Sequence, residues 1–224
     1  RFYVMATGCL SAMKDPDVEG VDRFAGEAYY TGRWPHEGVD FSGKRVGVIG
    51  TGSSAIQSIP IIAQQADQVV VFQRTPNFSI PAHNGPVREK DRAPRDADLT
   101  AYREEARWSV VGVPLDLNEE SALLVDEGRR QEVFENAWEE GTIFAMTGSF
   151  ADIMRVREAN ELAGDFVRGK IRSIVDDPVT AEALCPTTYP MGSKRLCLDT
   201  GYYATYNQPH VTLVDLRANP ISSI

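Results

Sequence analysis

A glycine-rich turn between a short apolar run and an amphipathic segment constrains the fold of this chain more than any other feature. The run covers residues 44–50, and apolar side chains then recur at three- and four-residue intervals over residues 55–63. This spacing predicts a buried strand and a helix that starts at Ser53-Ser54 and closes at Ala66-Asp67. A second, β-branched run follows at residues 68–73. Strand, helix and strand within about 30 residues predict a right-handed βαβ unit.

The turn itself has the spacing of a dinucleotide-binding fingerprint. Gly50-Thr51-Gly52-Ser53-Ser54-Ala55 matches Gly-x-Gly-x-x-Gly/Ala at the junction of a predicted strand and helix. In this pattern Gly50 permits the tight turn, Gly52 lets a pyrophosphate approach the backbone, and Ala55 lets the helix pack closely on the strand. Backbone N–H groups at the start of the helix then bind the anion. The turn therefore predicts a dinucleotide site, with an unliganded glycine-rich turn as the alternative.

The end of the second predicted strand indicates which nicotinamide cofactor the site prefers. An acidic residue about 20 positions beyond the glycines binds the ribose 2′-hydroxyl of NAD. Here the strand ends in Gln73-Arg74-Thr75. The forked guanidinium of Arg74 can bind a 2′-phosphate through two hydrogen bonds and Thr75 can add a hydroxyl, so the sequence favours NADP(H). A solvated arginine at a strand end is the alternative.

The fold class predicted is α/β, a Rossmann-like NADP-binding domain with a parallel sheet and a large helical insertion. Residues 83–192 are charged and helix-forming, with predicted helices at 99–108, 119–140 and 150–175. Strand-like runs return at 194–198 and 211–215, where we expect the parallel sheet to resume.

Composition excludes several other classes of protein. The net charge is −9 and the lysines and arginines are dispersed, so binding to nucleic acid is not expected. The sequence has no apolar run long enough for a membrane span. Its three cysteines lack the Cys-x-x-Cys spacing, which argues against a disulfide scaffold, a metal site or a dithiol redox pair. We expect reduced cysteines and a cytoplasmic location.

A segment just before the nucleotide strand carries a family resemblance. Residues 24–35 are similar to the Baeyer–Villiger monooxygenase signature Phe-x-Gly-x-x-x-His-x-x-x-Trp-Pro, with Phe24, Gly26, Trp34 and Pro35 in register. Tyr30 stands where the family has the histidine that supports catalysis from the connection between domains. Tyrosine can still form hydrogen bonds, but it does not change charge near neutral pH as histidine does.

A second segment carries the same resemblance. Residues 190–195 are similar to the family's Pro-x-Gly-x-Lys-Arg stretch. The resemblance implies that Lys194 joins Arg74 on the 2′-phosphate and that Arg195 reaches the flavin, where it stabilises negative charge during oxygenation. It also implies that Thr7-Gly8 lies near the point where the chain leaves the flavin domain, and that Trp34 lies near the cofactors. The cofactors implied are NADP(H) and FAD.

The resemblance extends over essentially the whole chain and predicts how the chain is divided. Residues 1–13 would be a remnant of an FAD domain and 14–40 a linker that carries the signature. Residues 41–82 and 193–224 would form the NADP-binding domain, interrupted by the helical insertion at 83–192. Residues 2–6 predict a buried strand that no preceding element can pair with, so we expect the chain to be an internal part of a longer polypeptide.

These features predict an enzyme that uses NADPH, FAD and O2 to insert one oxygen atom beside a ketone carbonyl. Its partners would be the small-molecule ketone and the remainder of its own FAD domain. One alternative is a related flavin monooxygenase that oxidises N or S atoms, and another is a non-catalytic NADP-binding module. A flavin disulfide reductase is disfavoured because no cysteine pair has usable spacing. The chain alone is expected to bind NADPH weakly and to have no activity.

Overall fold

A computed structural model describes residues 2–5, 8, 13, 16, 18–115 and 117–224. The strands are β1 (Arg45–Ile49), β2 (Gln68–Gln73), β3 (Ser79–Pro81), β4 (Cys197–Asp199) and β5 (Val211–Asp215). The helices are α1 (Ser53–Ala63), α2 (Glu89–Ala97), α3 (Leu99–Trp108), α4 (Glu127–Glu140), α5 (Ile143–Thr147), α6 (Arg157–Ile174), α7 (Pro178–Leu184) and α8 (Tyr202–Thr205). Short 3-10 turns form at Val21–Arg23 and Thr31–Arg33.

The main sheet is parallel and has the strand order β1-β2-β5. Val46 pairs with Val69 in β2, and Val70 of β2 pairs with Thr212 in β5. Helix α1 connects the two parallel strands β1 and β2, which confirms the predicted βαβ unit, and β5 confirms the strand predicted at 211–215. Because all three strands run in the same direction, their carboxyl ends meet at one edge of the sheet.

A second parallel sheet contains only β3 and β4 among the described residues. The strand predicted at 194–198 was expected in the main sheet, and that expectation was wrong. Residues 190–193 form a turn, in which the Ser193 N–H donates to the carbonyl of Pro190. The strand begins at Cys197 and pairs with β3. Strand β3 has three residues and ends in a proline. A strand this short does not show the alternation of buried and exposed side chains by which strands are predicted from sequence.

Six helices, α2 to α7, lie between β3 and β4, and the described part of residues 83–192 contains no strand, as predicted. Helix α3 has the predicted bounds. Helix α4 begins eight residues after the predicted start at 119, because residues 119–125 form turns that the carboxylate of Asp152 holds through Ser121 and the Ala122 N–H. Helix α6 likewise begins at Arg157 rather than at residue 150. Sequence did not predict α2, α5 or α7.

One apolar core joins the main sheet to the helices. Val69 and Val71 of β2 are fully buried, as are Ile56 and Ile59 on the inner face of α1. Helix α1 continues through Pro60 and ends at Ala63, three residues before the predicted closing residues. None of the helices within the described ranges is long and apolar enough to cross a bilayer.

The first residues do not form the buried strand that their sequence predicts. Phe2, Tyr3, Val4 and Met5 are between 70% and 99% exposed and belong to no strand. A parallel strand needs a neighbour for its backbone hydrogen bonds, and no described strand lies beside this segment. The prediction was therefore wrong for residues 2–5, while Ala6, like Thr7, lies outside the described residues.

Candidate dinucleotide site

The glycine-rich turn lies at the carboxyl edge of the main sheet. Gly50 has φ +101°, which favours glycine, and its N–H donates to the carbonyl of Phe72 at 2.9 Å. Gly52 is the N-cap of α1 in an extended conformation, so Ser53 and Ser54 form the first turn of the helix rather than its cap. A Cβ added to Gly50 or Gly52 would meet no atom within 4 Å. The space over the turn is therefore open to a ligand.

Thr51 ties this turn to the segment that follows β2. Its hydroxyl donates to the carbonyl of Thr75 at 3.1 Å, and its own carbonyl accepts a hydrogen bond from the Asn77 amide at 2.5 Å. Only 4% of Thr51 is exposed. Its side chain is therefore engaged within the protein, and a contact with a ligand would come from its backbone. Ala55 is half-buried at the start of α1, as close packing of helix and strand requires.

Three cations from separate parts of the chain are associated with residues 74–77, which we call the β2 turn: one belongs to it, one contacts it directly and one contacts it through a tyrosine. Arg74 is exposed at the start of this turn. Arg217, two residues beyond β5, reaches the Thr75 hydroxyl at 3.5 Å. The Nζ of Lys194 lies 4.3 Å from the ring centroid of Tyr189, whose hydroxyl donates to the Pro76 carbonyl at 2.8 Å. None of these cations forms an ion pair with a carboxylate of the described residues.

Sequence reasoning missed Arg217. Strand β5 neighbours β2 in the sheet, so a residue just beyond β5 lies near the residues just beyond β2. The sequence does show a cation two residues after the strand predicted at 211–215. That position points to the β2 turn only if β5 is known to neighbour β2, and the sequence did not supply the strand order.

Helix α6 holds the turn that precedes Lys194 and Arg195. The side chain of the buried Asn160 donates to the Met191 carbonyl at 2.8 Å and accepts from the Met191 N–H at 2.9 Å. Gly192 has φ +84°, and a Cβ there would lie 2.6 Å from Met154. Arg195 is exposed two residues before β4. No hydrogen bond or ion pair among the described residues joins it to the β2 turn.

The segment with the monooxygenase signature contacts the opposite edge of the main sheet. The Glu27 carboxylate forms an ion pair with Lys44, the residue before β1. The ring centroid of Trp34 lies 5.9 Å from that of Tyr29 and 6.1 Å from that of Phe41. Tyr30 is half-buried, and its carbonyl accepts from Arg33. The described residues show no hydrogen bond between Tyr30 and the glycine-rich turn.

Other expected features lie elsewhere or outside the described residues. Gly8 is described, whereas Thr7 and Cys9 are not. Cys185 and Cys197 are buried free thiols, and burial raises the pKa of both. No group of three or more metal-ligating side chains within the described ranges is arranged to hold a metal ion.

A pocket that is partly open to solvent lies away from the fingerprint. It is a cavity of about 250 Å³ beside the β3–β4 sheet, and Trp138, Asp199 and Tyr203 are among the residues that line it. Both carboxylate oxygens of Asp199 are engaged, one by the Ser79 hydroxyl at 2.6 Å and one by the Tyr202 N–H at 3.0 Å. Burial raises the pKa of Asp199. This carboxylate links β3 to α8, and we assign it no ligand.

Several monooxygenases are similar to the chain in sequence. No protein-family model matches the chain. Over its full length it is 41% identical to a cyclohexanone 1,2-monooxygenase from Acinetobacter sp. and 41% identical to a phenazine N-monooxygenase from Lysobacter antibioticus. A Baeyer–Villiger monooxygenase from Pseudooceanicola batsensis is 39% identical over 99% of the chain. The chain spans 40% to 41% of the length of these relatives.

Solved structures show the same similarity in three dimensions. An oxidised steroid monooxygenase bound to NADP superposes on 96% of the chain with a TM-score of 0.89 and 48% identity. The monooxygenase OTEMO in complex with FAD and NADP superposes on 98% of the chain with a TM-score of 0.92 and 39% identity. The matched regions make up 41% and 42% of those two chains.

Proposed function

The chain belongs to the Baeyer–Villiger monooxygenase family, and from this premise we propose that it forms the NADPH-binding part of a flavin-dependent monooxygenase. The proposal rests on the open glycine-rich turn together with the β2 turn beside it, where Arg74 and Arg217 lie, Lys194 contacts the ring of Tyr189, and no acidic residue ends β2. A 2′-phosphate is the part of NADPH that NADH lacks, and cations at this position favour it.

The residues present fit the bound form of NADPH. Gly50 and Gly52 leave room for the pyrophosphate, and the first N–H groups of α1, at Ser53 and Ser54, can bind it. Arg74, Lys194 and Arg217 would hold the 2′-phosphate, with the Thr75 hydroxyl as a further partner. NADPH supplies a hydride when bound, and this chain's share is to fix the nucleotide in place.

The chain alone does not fit FAD to the same degree. Its sequence holds one Gly-x-Gly-x-x-Gly/Ala fingerprint, which the proposal assigns to NADPH. We propose that FAD is bound mainly by the remainder of its domain. Thr7 and Gly8 would lie near the point where the chain leaves the FAD domain, and Trp34 would lie near the cofactors. Arg195, exposed and free of the contacts that hold Lys194, would reach toward the flavin and stabilise negative charge there.

In the proposed reaction, one oxygen atom of O2 is inserted beside the carbonyl of a small ketone to give an ester or lactone. The other oxygen atom is reduced to water with two electrons from NADPH. Relatives named for cyclohexanone, cyclopentanone and acetone support a ketone substrate. Tyr30 would act from the linker as a hydrogen-bonding group rather than one that titrates near neutral pH. We further propose a cytoplasmic location, which suits the free thiols Cys185 and Cys197.

A second candidate is oxygenation of a nitrogen atom. It is favoured by the phenazine N-monooxygenase relative, which is as similar in sequence as the cyclohexanone enzyme, and by the tyrosine in place of the family's histidine. Offering cyclohexanone, a thioether and a phenazine to the full-length enzyme that contains this chain separates the candidates. We expect the lactone as the main product. An N-oxide as the main product would replace the ketone reading with this second one.

Substitution of Arg195 tests whether the two adjacent cations have different roles, with Lys194 at the 2′-phosphate and Arg195 at the flavin. Because Arg195 is proposed to act at the flavin, Arg195→Ala should leave the dissociation constant for NADPH within about twofold while oxygenation of a ketone by the full-length enzyme falls by at least about 100-fold. Arg155→Ala, at an exposed arginine in the turns between α5 and α6, is the control and should change neither. Loss of NADPH binding in Arg195→Ala would show that Arg195 belongs to the nucleotide site instead.

A further inference from the structure

We infer that Tyr189 is a positioning residue that holds Lys194 beside the β2 turn and thereby raises the preference of the site for a 2′-phosphorylated nucleotide. The inference rests on the proposed function, because it concerns the same phosphate. It adds a residue that binds no ligand itself and lies outside the stretch of residues 190–195 that carries the family resemblance.

The contact between Lys194 and Tyr189 places an otherwise flexible charge. Lysine carries its ammonium group on four methylenes, and holding that group in one position costs side-chain entropy. The Nζ of Lys194 lies 4.3 Å from the centroid of the Tyr189 ring, which is within the range of a cation–π interaction. Lys194 is also exposed, so a ligand can approach its ammonium group from solvent. The ring therefore orders the cation and leaves it accessible.

Tyr189 is itself fixed from two sides. Its hydroxyl donates to the Pro76 carbonyl at 2.8 Å and lies 3.1 Å from the side-chain carbonyl of Asn77. The rings of Tyr189 and Phe78 pack nearly perpendicular to each other, with the centroids 5.7 Å apart. Burial raises the pKa of the phenol to about 12, so the hydroxyl keeps its proton and its role as donor near neutral pH. A ring held in this way gives Lys194 a defined position relative to the β2 turn.

The same contacts connect Lys194 to the glycine-rich turn. The Asn77 amide donates to the carbonyl of Thr51, and the Thr51 hydroxyl donates to the carbonyl of Thr75. The two proposed phosphate-binding positions are thus joined by direct hydrogen bonds, with Tyr189 between Asn77 and Lys194. If Tyr189 served only to pack against Phe78, its loss would weaken every nucleotide equally. If it positions Lys194, its loss weakens only nucleotides with a 2′-phosphate.

Calorimetric titration of the chain with adenosine 2′,5′-bisphosphate and with 5′-AMP measures this difference, because the two probes differ only in the 2′-phosphate. The variants are Tyr189→Leu, which removes the ring, Tyr189→Phe, which keeps it, and Lys194→Met, alone and combined with Tyr189→Leu. Tyr206→Leu is the structural control, since Tyr206 is buried and its hydroxyl donates a hydrogen bond to the Tyr202 hydroxyl, in contact with none of the three cations. Thermal unfolding of each variant establishes that it is folded.

We expect Tyr189→Leu to lower the ratio of the two affinities about fivefold, as loss of an exposed cation–π contact implies. Tyr189→Phe keeps the ring and its packing on Phe78 but loses the hydrogen bond to Pro76, so it should lower the ratio less than Tyr189→Leu does. Tyr189→Leu should have no further effect in the Lys194→Met background. Equal weakening of both probes, or an undiminished effect without Lys194, would overturn the inference while the proposed function stands. A wild-type chain that binds the two probes equally would overturn both.

Discussion

At the scale of single residues, the two fingerprint glycines have different requirements. Gly50 adopts φ +101°, so a side chain there strains the backbone by about 1–2 kcal/mol whether or not a ligand is present. Gly52 has φ −78° and open space around it, so the fold accepts other residues there. Under the proposed function, a requirement for glycine at position 52 would come from the ligand and not from the fold.

This difference predicts the effect of Gly52→Asp. Aspartate is a favoured N-cap, so the variant should unfold at the temperature of the wild-type chain or higher. Its carboxylate would lie against the pyrophosphate, and repulsion between like charges should weaken NADPH binding at least about 100-fold. Gly52→Ser is the matched control, a cap without charge, and should lose less. Tight NADPH binding by Gly52→Asp would mean that the pyrophosphate does not lie at this turn.

A prediction of cofactor preference belongs to Arg74. Loss of a charge-assisted hydrogen bond to a 2′-phosphate costs about 1.5–3 kcal/mol, so Arg74→Ala should weaken NADPH binding about 10- to 100-fold and leave NADH binding unchanged. Fluorescence titration with each cofactor measures both constants. Arg45→Ala is the control, since Arg45 is an exposed arginine at the amino end of β1, away from the glycine-rich turn. If Arg74→Ala and Arg45→Ala behave alike, Arg74 does not contact the phosphate.

At the scale of elements, local pattern was sufficient for some segments and not for others. The strand, helix and strand from Arg45 to Gln73 were predictable because each repeats its apolar spacing over several residues. The pairing of β3 with β4 was not, because each strand has three residues and the partners are more than a hundred positions apart. The delayed start of α4 follows from hydrogen bonds that Asp152 makes some 30 residues away, which no local pattern encodes.

The link between β3 and α8 predicts a pH dependence of stability. Burial raises the pKa of Asp199 above its value in the unfolded chain, despite hydrogen bonds from Ser79 and the Tyr202 N–H. For a raised pKa, the contribution to stability is fully present below the unfolded value of about 3.9 and is lost as pH rises through the folded value. Asp199→Asn can keep both hydrogen bonds and does not titrate.

The stability of the wild-type chain relative to Asp199→Asn should therefore fall as pH rises from about 4 through the raised pKa of Asp199, and then level off. Chemical denaturation of both proteins across this range measures the difference, and effects of other carboxylates cancel. Asp40→Asn, at an exposed aspartate with a lowered pKa, should show a trend of opposite sign. A difference for Asp199→Asn that rises with pH would contradict the assignment.

At the scale of the whole molecule, the sequence predicted one part of the candidate site and not the rest. Gly50, Gly52 and Arg74 could be proposed from sequence because they lie within one βαβ unit, whose geometry is general. Arg217 and Tyr189 were not assigned a role, because they reach the β2 turn from more than a hundred residues away in sequence. Trp34 and Tyr30 were expected from the resemblance. The structure places their segment at the amino edge of the sheet, and their roles remain predictions.

The chain as a whole should bind NADPH without catalysing oxygenation. It spans about two fifths of the length of its relatives and holds one nucleotide fingerprint. Incubation with NADPH, added FAD, O2 and cyclohexanone should therefore give no lactone by gas chromatography, while NADPH binding is still measured. Formation of lactone by the chain alone would refute the proposed division of the two cofactor sites.

The most direct test of the account is the relative affinity of the wild-type chain for NADPH and NADH. Because Arg74 and Arg217 lie at the β2 turn and Lys194 is held on Tyr189 beside it, we expect NADPH to bind at least about tenfold more tightly than NADH. Binding should be weak in absolute terms, and the preference should shrink as salt is added. Titration of the chain with each cofactor, followed by nicotinamide fluorescence at two salt concentrations, gives these values. Equal affinities, or tighter binding of NADH, would contradict the account.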